Sequence, residues 1–221
     1  MPVLKPNGKV RLCVDLKRLN QAVIRERYML PTLDDILPKF SGATVFSLLD
    51  ASNGFWAIPL SPESTKLTTF ITPFGRFCFR RLPFGSTSAP EIFQRLMTDM
   101  LHDHEGVAIY MDDIVVFGTT EREHDDRLRR VISTIAASGL KLNKEKCAFK
   151  QHSLSFLGHE IDAFGVRPSA SKVDAITHLP DPTDISALRR CLGMFNYLGR
   201  FIPNLASVLR PLNELLRSNT V

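Results

Sequence analysis

Long apolar runs are missing from this chain. No stretch approaches the roughly 20 residues that a membrane-spanning helix requires, and the N-terminus, Met1-Pro2-Val3-Leu4-Lys5-Pro6, has no apolar segment of the signal-peptide kind. The expectation is an intracellular protein, cytoplasmic or nuclear, or a piece of a larger one, with no membrane partner. Closely spaced cysteines are missing too. Cys13, Cys78, Cys147 and Cys191 lie far apart with no C-x-x-C, which argues against a zinc ribbon and a disulfide framework and reads as reduced core thiols. His102 and His104 form H-x-H, but no second ligand pair follows at zinc-finger spacing. Internal repeats, low-complexity segments and the aromatic pattern of an RNA-recognition sheet are also lacking. What remains is ordinary globular material: 221 residues, 44% hydrophobic and 23% charged, enough for one large domain or two small ones. A net charge of +5 leans toward a polyanionic partner without naming one.

Against that background one stretch stands out. The run from Val107 to Gly118 is rich in Val, Ile, Tyr and Phe, the residue types that favour a buried strand, yet Asp112 and Asp113 interrupt it. Two ionised, unpaired carboxylates in such a run would cost several kcal/mol each. A turn into water or a divalent cation would each remove that cost. A second strand-like run, Thr44 to Asp50, ends on another aspartate, followed by the turn Ala51-Ser52-Asn53-Gly54-Phe55-Trp56. An acid at the carboxyl end of a core strand is either a cap for the next turn or part of a site.

The rest of the chain reads as alternating hairpins and capped helices. Val3 to Val14 is a hairpin whose tip carries Lys5 and Lys9, with Arg11 beside it, either a flap over an anionic ligand or a solvated edge. Thr32 to Phe40 is a short helix, in which Asp34-Asp35 belongs to the first turn. Leu67 to Arg81 predicts a second hairpin. Ser88-Ala89-Pro90-Glu91 and Thr120-Glu121-Arg122-Glu123 are capping boxes. The first opens a helix burying Ile92, Phe93, Leu96, Met97, Met100 and Leu101; the second opens one burying Leu128, Ile132 and Ile135 and stopping at Gly139. Cys147-Ala148-Phe149 with Leu154 to Ile161 predicts a third hairpin. From Pro168 the pattern is helical, over roughly 169–178, 184–198 and 204–217. The proline-rich stretch from Pro168 to Pro182 marks a domain boundary, giving 1–165 and 166–221.

If the two aspartate-bearing strands are neighbours in one sheet, Asp50, Asp112 and Asp113 meet at one edge. They would then repel unless cations lie between them, and magnesium is the oxygen-preferring ion that keeps positions open for phosphate and water.

Tyr110-Met111-Asp112-Asp113 resembles the signature of reverse transcriptases, and further segments match in order. Arg11-Leu12-Cys13-Val14-Asp15-Leu16 through Leu19-Asn20 is similar to the fingers motif, and Phe46-Ser47-Leu48-Leu49-Asp50 through Gly54-Phe55-Trp56 to the first catalytic motif. Leu82-Pro83-Phe84-Gly85 with Ala89-Pro90 and Phe93-Gln94 resembles the nucleotide and template loop with its helix, and Phe156-Leu157-Gly158-His159 the primer grip. Leu192 to Tyr197 and Arg200 to Asn204 resemble the segment between polymerase and RNase H in gypsy-type LTR retrotransposons.

The resemblance implies an α+β right-hand polymerase: partial fingers and palm over 1–165, the start of a helical thumb or connection over 166–221, and RNA- and DNA-directed DNA synthesis with two magnesium ions, for which manganese can substitute. Asp50 and Asp112 would be metal ligands and Asp113 the third carboxylate. Tyr110 and Met111 would set the hairpin against the primer end. Phe55 aligns with the aromatic gate under the sugar, and Arg11 with an arginine that contacts the triphosphate, which a guanidinium suits. Lys5 would be its companion, on a hairpin about one residue shorter than in retroviral enzymes. Phe84 stands where retroviral enzymes have glutamine, so that glutamine's nucleotide contact does not transfer; Phe84 and Gly85 would offer a packing surface at the nucleotide. Phe156, Leu157 and Gly158 would grip the primer. Implied partners are a primed RNA or DNA template, dNTPs, and protease, RNase H and integrase within a larger Pol polyprotein, in the cytoplasm, a virus-like particle or the nucleus. The chain begins at the fingers hairpin and stops before any RNase H domain. A retroelement fragment that binds primer-template without polymerising is therefore the alternative, and a palm-type nucleotide cyclase lacks the fingers hairpin, grip and helical segment seen here.

Overall fold

The structure, a computed structural model, describes residues 2–4, 8, 10–12 and 14–217, without side chains in 2–4 and 10–12. The chain divides into two compact units, between His152 and Ser153.

In the first unit, β1 (Pro2–Leu4) and β2 (Val10–Leu12) pair antiparallel with Val3 opposite Arg11, the hairpin that the sequence predicts. After α1 (Lys17–Ala22), Thr32 caps α2 (Leu33–Ile36). The Thr32 hydroxyl accepts from Asp35 N, and the Asp35 carboxylate accepts from Thr32 N at 2.7 Å. Asp34-Asp35 is thus a helix start. Pro38 tightens the next turn, Leu37–Phe40, into 3-10 form, which seats Ile36 and Phe40 in the core. β3 (Val45–Asp50) follows. The hairpin expected over Leu67 to Arg81 is shorter than its alternation suggests. Ser61 caps an unforeseen helix, α3 (Pro62–Leu67), and only β4 (Phe70–Thr72) and β5 (Gly75–Phe77) pair.

α4 (Ala89–Leu101) begins where the Ser88 capping box places it, but the Ser88 side chain makes no cap bond and Glu91 instead pairs with Arg25 at 2.5 Å. A Ser88 backbone already near helical geometry, φ −92° and ψ 0°, replaces the extended cap conformation. Phe93, Gln94, Met97 and Leu101 are buried, whereas Leu96, expected in the core, is 47% exposed. β6 (Val107–Tyr110) and β7 (Asp113–Gly118) form the aspartate hairpin, and α5 (Glu121–Ser138) runs from the Thr120 cap to Gly139 at φ 76°. Its buried face is Val131 and Ile135; Ile132 turns outward at 38% exposure.

β8 (Ala148–Gln151) completes a four-stranded antiparallel sheet of order β6-β7-β3-β8. On one face Leu49, Ile114 and Val116 pack under Phe93, Met97 and Leu101 of α4 and Val131 and Ile135 of α5. On the other, Phe46 and Phe117 meet Phe40 edge-on, with ring centroids 6.1 and 5.0 Å apart. A buried polar link ties the helical layer to the sheet. Ser47 Oγ is hydrogen-bonded to His124 Nε2 at 2.9 Å and accepts from Lys150 N at 3.1 Å, with both side chains wholly buried.

The second unit holds β9 (Ser153–Phe156), β10 (His159–Asp162) and β11 (Gly165–Pro168) in one antiparallel sheet, then α6 (Ala170–Thr177), α7 (Ile185–Tyr197) and α8 (Leu205–Arg217). Leu188, Leu192 and Leu209 form its helical core. The third hairpin expected from sequence is therefore two things: Ala148-Phe149 belongs to the first sheet, and residues 153–168 make their own. The compact division also precedes the proline-rich stretch. Tyr197 donates its hydroxyl to Leu157 O at 3.1 Å and faces the His159 ring at 5.8 Å, which binds this sheet to the helices that follow it.

Candidate active site at the aspartate hairpin

Strand alternation fixes the acids. Asp50 ends β3 and pairs directly with Asp113, the first residue of β7; both lie on the sheet face opposite to α4 and α5. Asp113 in turn pairs with Tyr110 across the hairpin, leaving Met111 and Asp112 as its two-residue turn. Met111 sits at φ 54°, a left-handed conformation that costs a residue with a side chain of order 1 kcal/mol. Gln94 holds it there: from buried α4, its Oε1 accepts from Met111 N at 2.7 Å and its Nε2 donates to Ile109 O at 3.2 Å.

The backbone behind β3 is drawn to the same place. Ala51 N donates to Asp112 O at 2.7 Å, and Asn143 N to Asp50 O at 2.9 Å. The turn after Asn143 brings Lys146 Nζ within 2.9 Å of Asp50 Oδ2. The Asp50 side chain is 12% exposed and that of Lys146 65%, so the pair is worth little in stability but supplies a positive charge beside the acids. The hydrogen bond to Asp50, and then that carboxylate's charge, raise the Lys146 pKa. Burial, and then the negative charge of Asp50, push the Asp113 carboxyl above its ordinary value, with Lys146 opposing. Lys146 therefore does not fully neutralise the surplus of negative charge, and the donors are all oxygens, which suits a hard divalent cation in charge and chemistry. Among the described residues no three His, Cys, Asp or Glu side chains already converge on one point.

Aromatic groups cluster beside the acids. Asn53, left-handed at φ 52°, opens the 3-10 turn Gly54–Ala57. Phe55 in that turn lies 5.2 Å from the Phe84 ring and 5.6 Å, edge-on, from Phe93; Trp56 meets Phe84 at 5.7 Å. Gly85, at φ 97°, carries the loop around Phe84. Asn20 fixes this loop, donating from Nδ2 to Gly85 O at 2.8 Å and accepting from Thr87 N at 3.1 Å. Lys5 and the side chain of Arg11 lie outside the described residues.

In the second unit, Leu157-Gly158 is the tight turn between β9 and β10, with φ 50° and 75°, positive at both positions as a type I′ hairpin turn requires. Phe156 is buried. Lys172 Nζ stands 3.7 Å over the Tyr197 ring; a Cβ at Gly158 would lie 2.6 Å from that nitrogen, which the flexible lysine end can relieve, so it is the left-handed φ that favours glycine here.

Gln94, Asn20 and Gly54 stand within the family-like motifs but carry no role that the motifs assign, and Lys146 lies in none of them. Asp50 and Lys146 are far apart in the chain, and nothing in their spacing announces the contact. A polar Gln94 inside the apolar stripe of α4 was the one available signal.

Residues 3–161 match the family described as reverse transcriptase (RNA-dependent DNA polymerase). The chain is 36% identical over 215 residues to the retrovirus-related Pol polyprotein from transposon 297 of Drosophila melanogaster, covering 96% of this chain and 20% of that protein. It is 38% identical to the corresponding polyprotein from transposon opus, covering 96% and 22%, and 36% identical to the enzymatic polyprotein of Figwort mosaic virus, covering 96% and 32%. The chain thus spans between about a fifth and a third of these relatives. The foamy viral protease-reverse transcriptase dRH in complex with double-stranded DNA superposes with a TM-score of 0.91 at 29% identity, covering 98% of this chain and 38% of that one. The foamy viral protease-reverse transcriptase in complex with an RNA/DNA hybrid gives 0.83 at 28%, covering 100% and 30%. The α+β right-hand polymerase fold expected from the motifs is the fold of these structures, and the chain belongs to the reverse transcriptase family, alongside the Pol polyproteins of gypsy-type LTR retrotransposons.

Proposed function

We propose that the chain is the polymerase core of a retroelement Pol protein that works inside the cell, adding dNTPs to a primer paired with an RNA or DNA template. The observation that carries the reading is the direct pairing of Asp50 with Asp113 beside the Asp112 turn, in a chain of this family. Asp50 and Asp112 would hold two magnesium ions, or manganese in their place, with Asp113 adding charge beside them. When bound, the ions would ease deprotonation of the primer 3′ hydroxyl and neutralise the departing pyrophosphate.

The protein's own groups orient and select. Lys146 steadies the Asp50 carboxylate, and Gln94 fixes the turn that presents Asp112. Phe55, braced by Phe84 and Phe93, presents a flat surface that would collide with a ribose 2′-hydroxyl. Arg11, with Lys5, would contact the triphosphate, and Phe156-Leu157-Gly158 the primer. In domain terms, 1–165 would be partial fingers and palm and 166–221 the start of the thumb or connection.

Primer extension on an RNA template with dNTPs and magnesium tests the reading. Extension by the wild-type chain and none by Asp112→Asn is the expected result; equal extension, or none by either, refutes it for this chain.

A further inference from the structure

Between the turn after β3 and the outer side of α4 lies a cleft of about 710 Å³, within the size range of small-molecule sites. It belongs wholly to the first unit, and none of the three candidate catalytic aspartates lines it. Its apolar walls include Trp56, Phe93, Leu96, Met97 and Met100. Leu96 is the residue that the periodicity of α4 assigns to the core and the fold leaves 47% exposed, and Trp56 beside it is 38% exposed. An aromatic ring, two methionines and a half-open leucine make a slot suited to a flat apolar body.

The charge around the slot has one sign. Among the described lining residues the ionisable groups are Arg81 and Lys141, and there is no carboxylate. Arg81 Nη1 donates to Ala57 O at 2.8 Å, which fixes its guanidinium at the wall with further N–H donors to offer. Lys141 is held through its backbone, its carbonyl accepting from Ser52 N at 2.7 Å.

We propose that this cleft is a binding site for a planar aromatic anion of two or three fused rings, its rings against Trp56, Leu96 and Met100 and its acid group toward Arg81 and Lys141. Ser52, Asn53 and Trp56 both line the cleft and form the turn that carries Phe55, so an occupant braces that turn from behind. The site does not depend on the polymerase reading, since binding is read without catalysis.

Trp56 is the chain's one tryptophan, and its indole N–H therefore gives a single, assigned signal in a ¹H–¹⁵N NMR spectrum. Titration with 2-naphthoate is expected to move that signal saturably, with a dissociation constant of about 1 mM or tighter, as a ligand of this size allows. Leu96→Glu, a change at a half-exposed helix position that should leave the fold intact by circular dichroism, is expected to weaken binding at least ten-fold. Arg81→Gln with Lys141→Gln is expected to weaken 2-naphthoate by roughly two- to five-fold while leaving the neutral analogue 2-naphthylmethanol unchanged. No saturable shift up to the solubility limit, or wild-type affinity in folded Leu96→Glu, overturns the site. Equal effects of the double change on acid and alcohol overturn its assignment to an anion.

Discussion

Gly54 occupies the point where the first motif, the core and the aspartate turn crowd together, and replacing it tests the geometry directly. A Cβ placed there would lie 2.4 Å from Phe93 Cζ, 2.8 Å from Phe93 Cε2 and 2.5 Å from Asp112 Oδ1. Non-bonded carbons sit at about 3.5–4.0 Å, so the overlap is near 1 Å on both sides. Asp112 can give way on its side only by shifting the contacts its carboxylate makes. Phe93 does not give way, because it is 2% exposed and packed edge-on against Phe55. Overpacking a closed core by such an amount costs about 1–3 kcal/mol, and the aromatic wall argues for the upper half of that range. Since no left-handed φ demands glycine here, alanine recovers roughly 0.5–1 kcal/mol of backbone entropy. Gly54→Ala should therefore lose about 1 to 2.5 kcal/mol. Urea unfolding followed by the fluorescence of Trp56, two residues away, measures it, and a local probe is needed because two compact units need not unfold together. In a double-mutant cycle with Phe93→Leu, the pair should be less destabilised than the sum of the singles by at least about 1 kcal/mol. A loss below about 0.5 kcal/mol, the range of uninvolved surface sites, with no coupling to Phe93, would refute the packing argument.

Gln94→Met keeps the volume but strips the turn of two hydrogen bonds and leaves Met111 N–H unpaired, so about 2–3 kcal/mol should be lost in the same unfolding assay; Met111→Gly, which removes the left-handed strain, should return about 1 kcal/mol of it. The Asp113 carboxyl is raised above its ordinary value of 3.8. The folded chain therefore holds a proton there that the unfolded chain releases first, and stability falls as pH rises from 3.8 through the folded value. Asp113→Asn should remove that decline and stabilise the first unit at neutral pH, and added magnesium should raise the melting temperature of the wild type more than that of Asp50→Asn. His159, wholly buried and held by burial below its ordinary 6.5, has the opposite sign. The unfolded chain takes the proton first on acidification, so stability of the second unit should fall below about pH 6.5 and level off once the folded value is passed; chemical denaturation of His159→Gln from pH 7 to 5 should show no such fall. Phe55→Ala should raise ribonucleotide incorporation relative to deoxyribonucleotide in primer extension, and unchanged discrimination would remove Phe55 from the gate.

Local chemistry made much of the fold legible. The Thr32 and Thr120 caps, the Gly139 stop and the three C-terminal helices are each written in a few adjacent residues, and the structure places them within a residue or two of expectation. The misreadings share a cause. Leu96 and Ile132 are apolar residues that a periodic pattern assigns inward, but periodicity reports only that a face is apolar and not whether another element covers it. Ser88 shows the same limit for caps: its motif is intact, but Arg25 takes the Glu91 carboxylate and the serine hydroxyl goes unused. The pairing of β8 with β3, and the contact of Lys146 with Asp50, are long-range facts that no window of sequence contains.

The turn removes only part of the cost of placing Asp112-Asp113 in an apolar run. Asp112 is in the turn. Asp113 is the first residue of β7, partly buried and facing Asp50 across the ladder, and the surroundings oppose its ionisation. A turn at Asp112 thus leaves the electrostatic difficulty standing one residue later. Lys146 meets it in part, through a side chain 65% exposed that can withdraw into solvent. An acid pair fixed by sheet register, balanced by a cation that is not fixed, is a site whose charge can be exchanged: the strands stay while the compensating ion changes. This is the property that a polymerase site needs if its metals arrive with substrate, and removing Lys146 separates the two roles. Lys146→Met should raise the magnesium-induced gain in melting temperature, because the resident charge no longer offsets the acids. An unchanged gain would mean that Lys146 and the metal do not share Asp50.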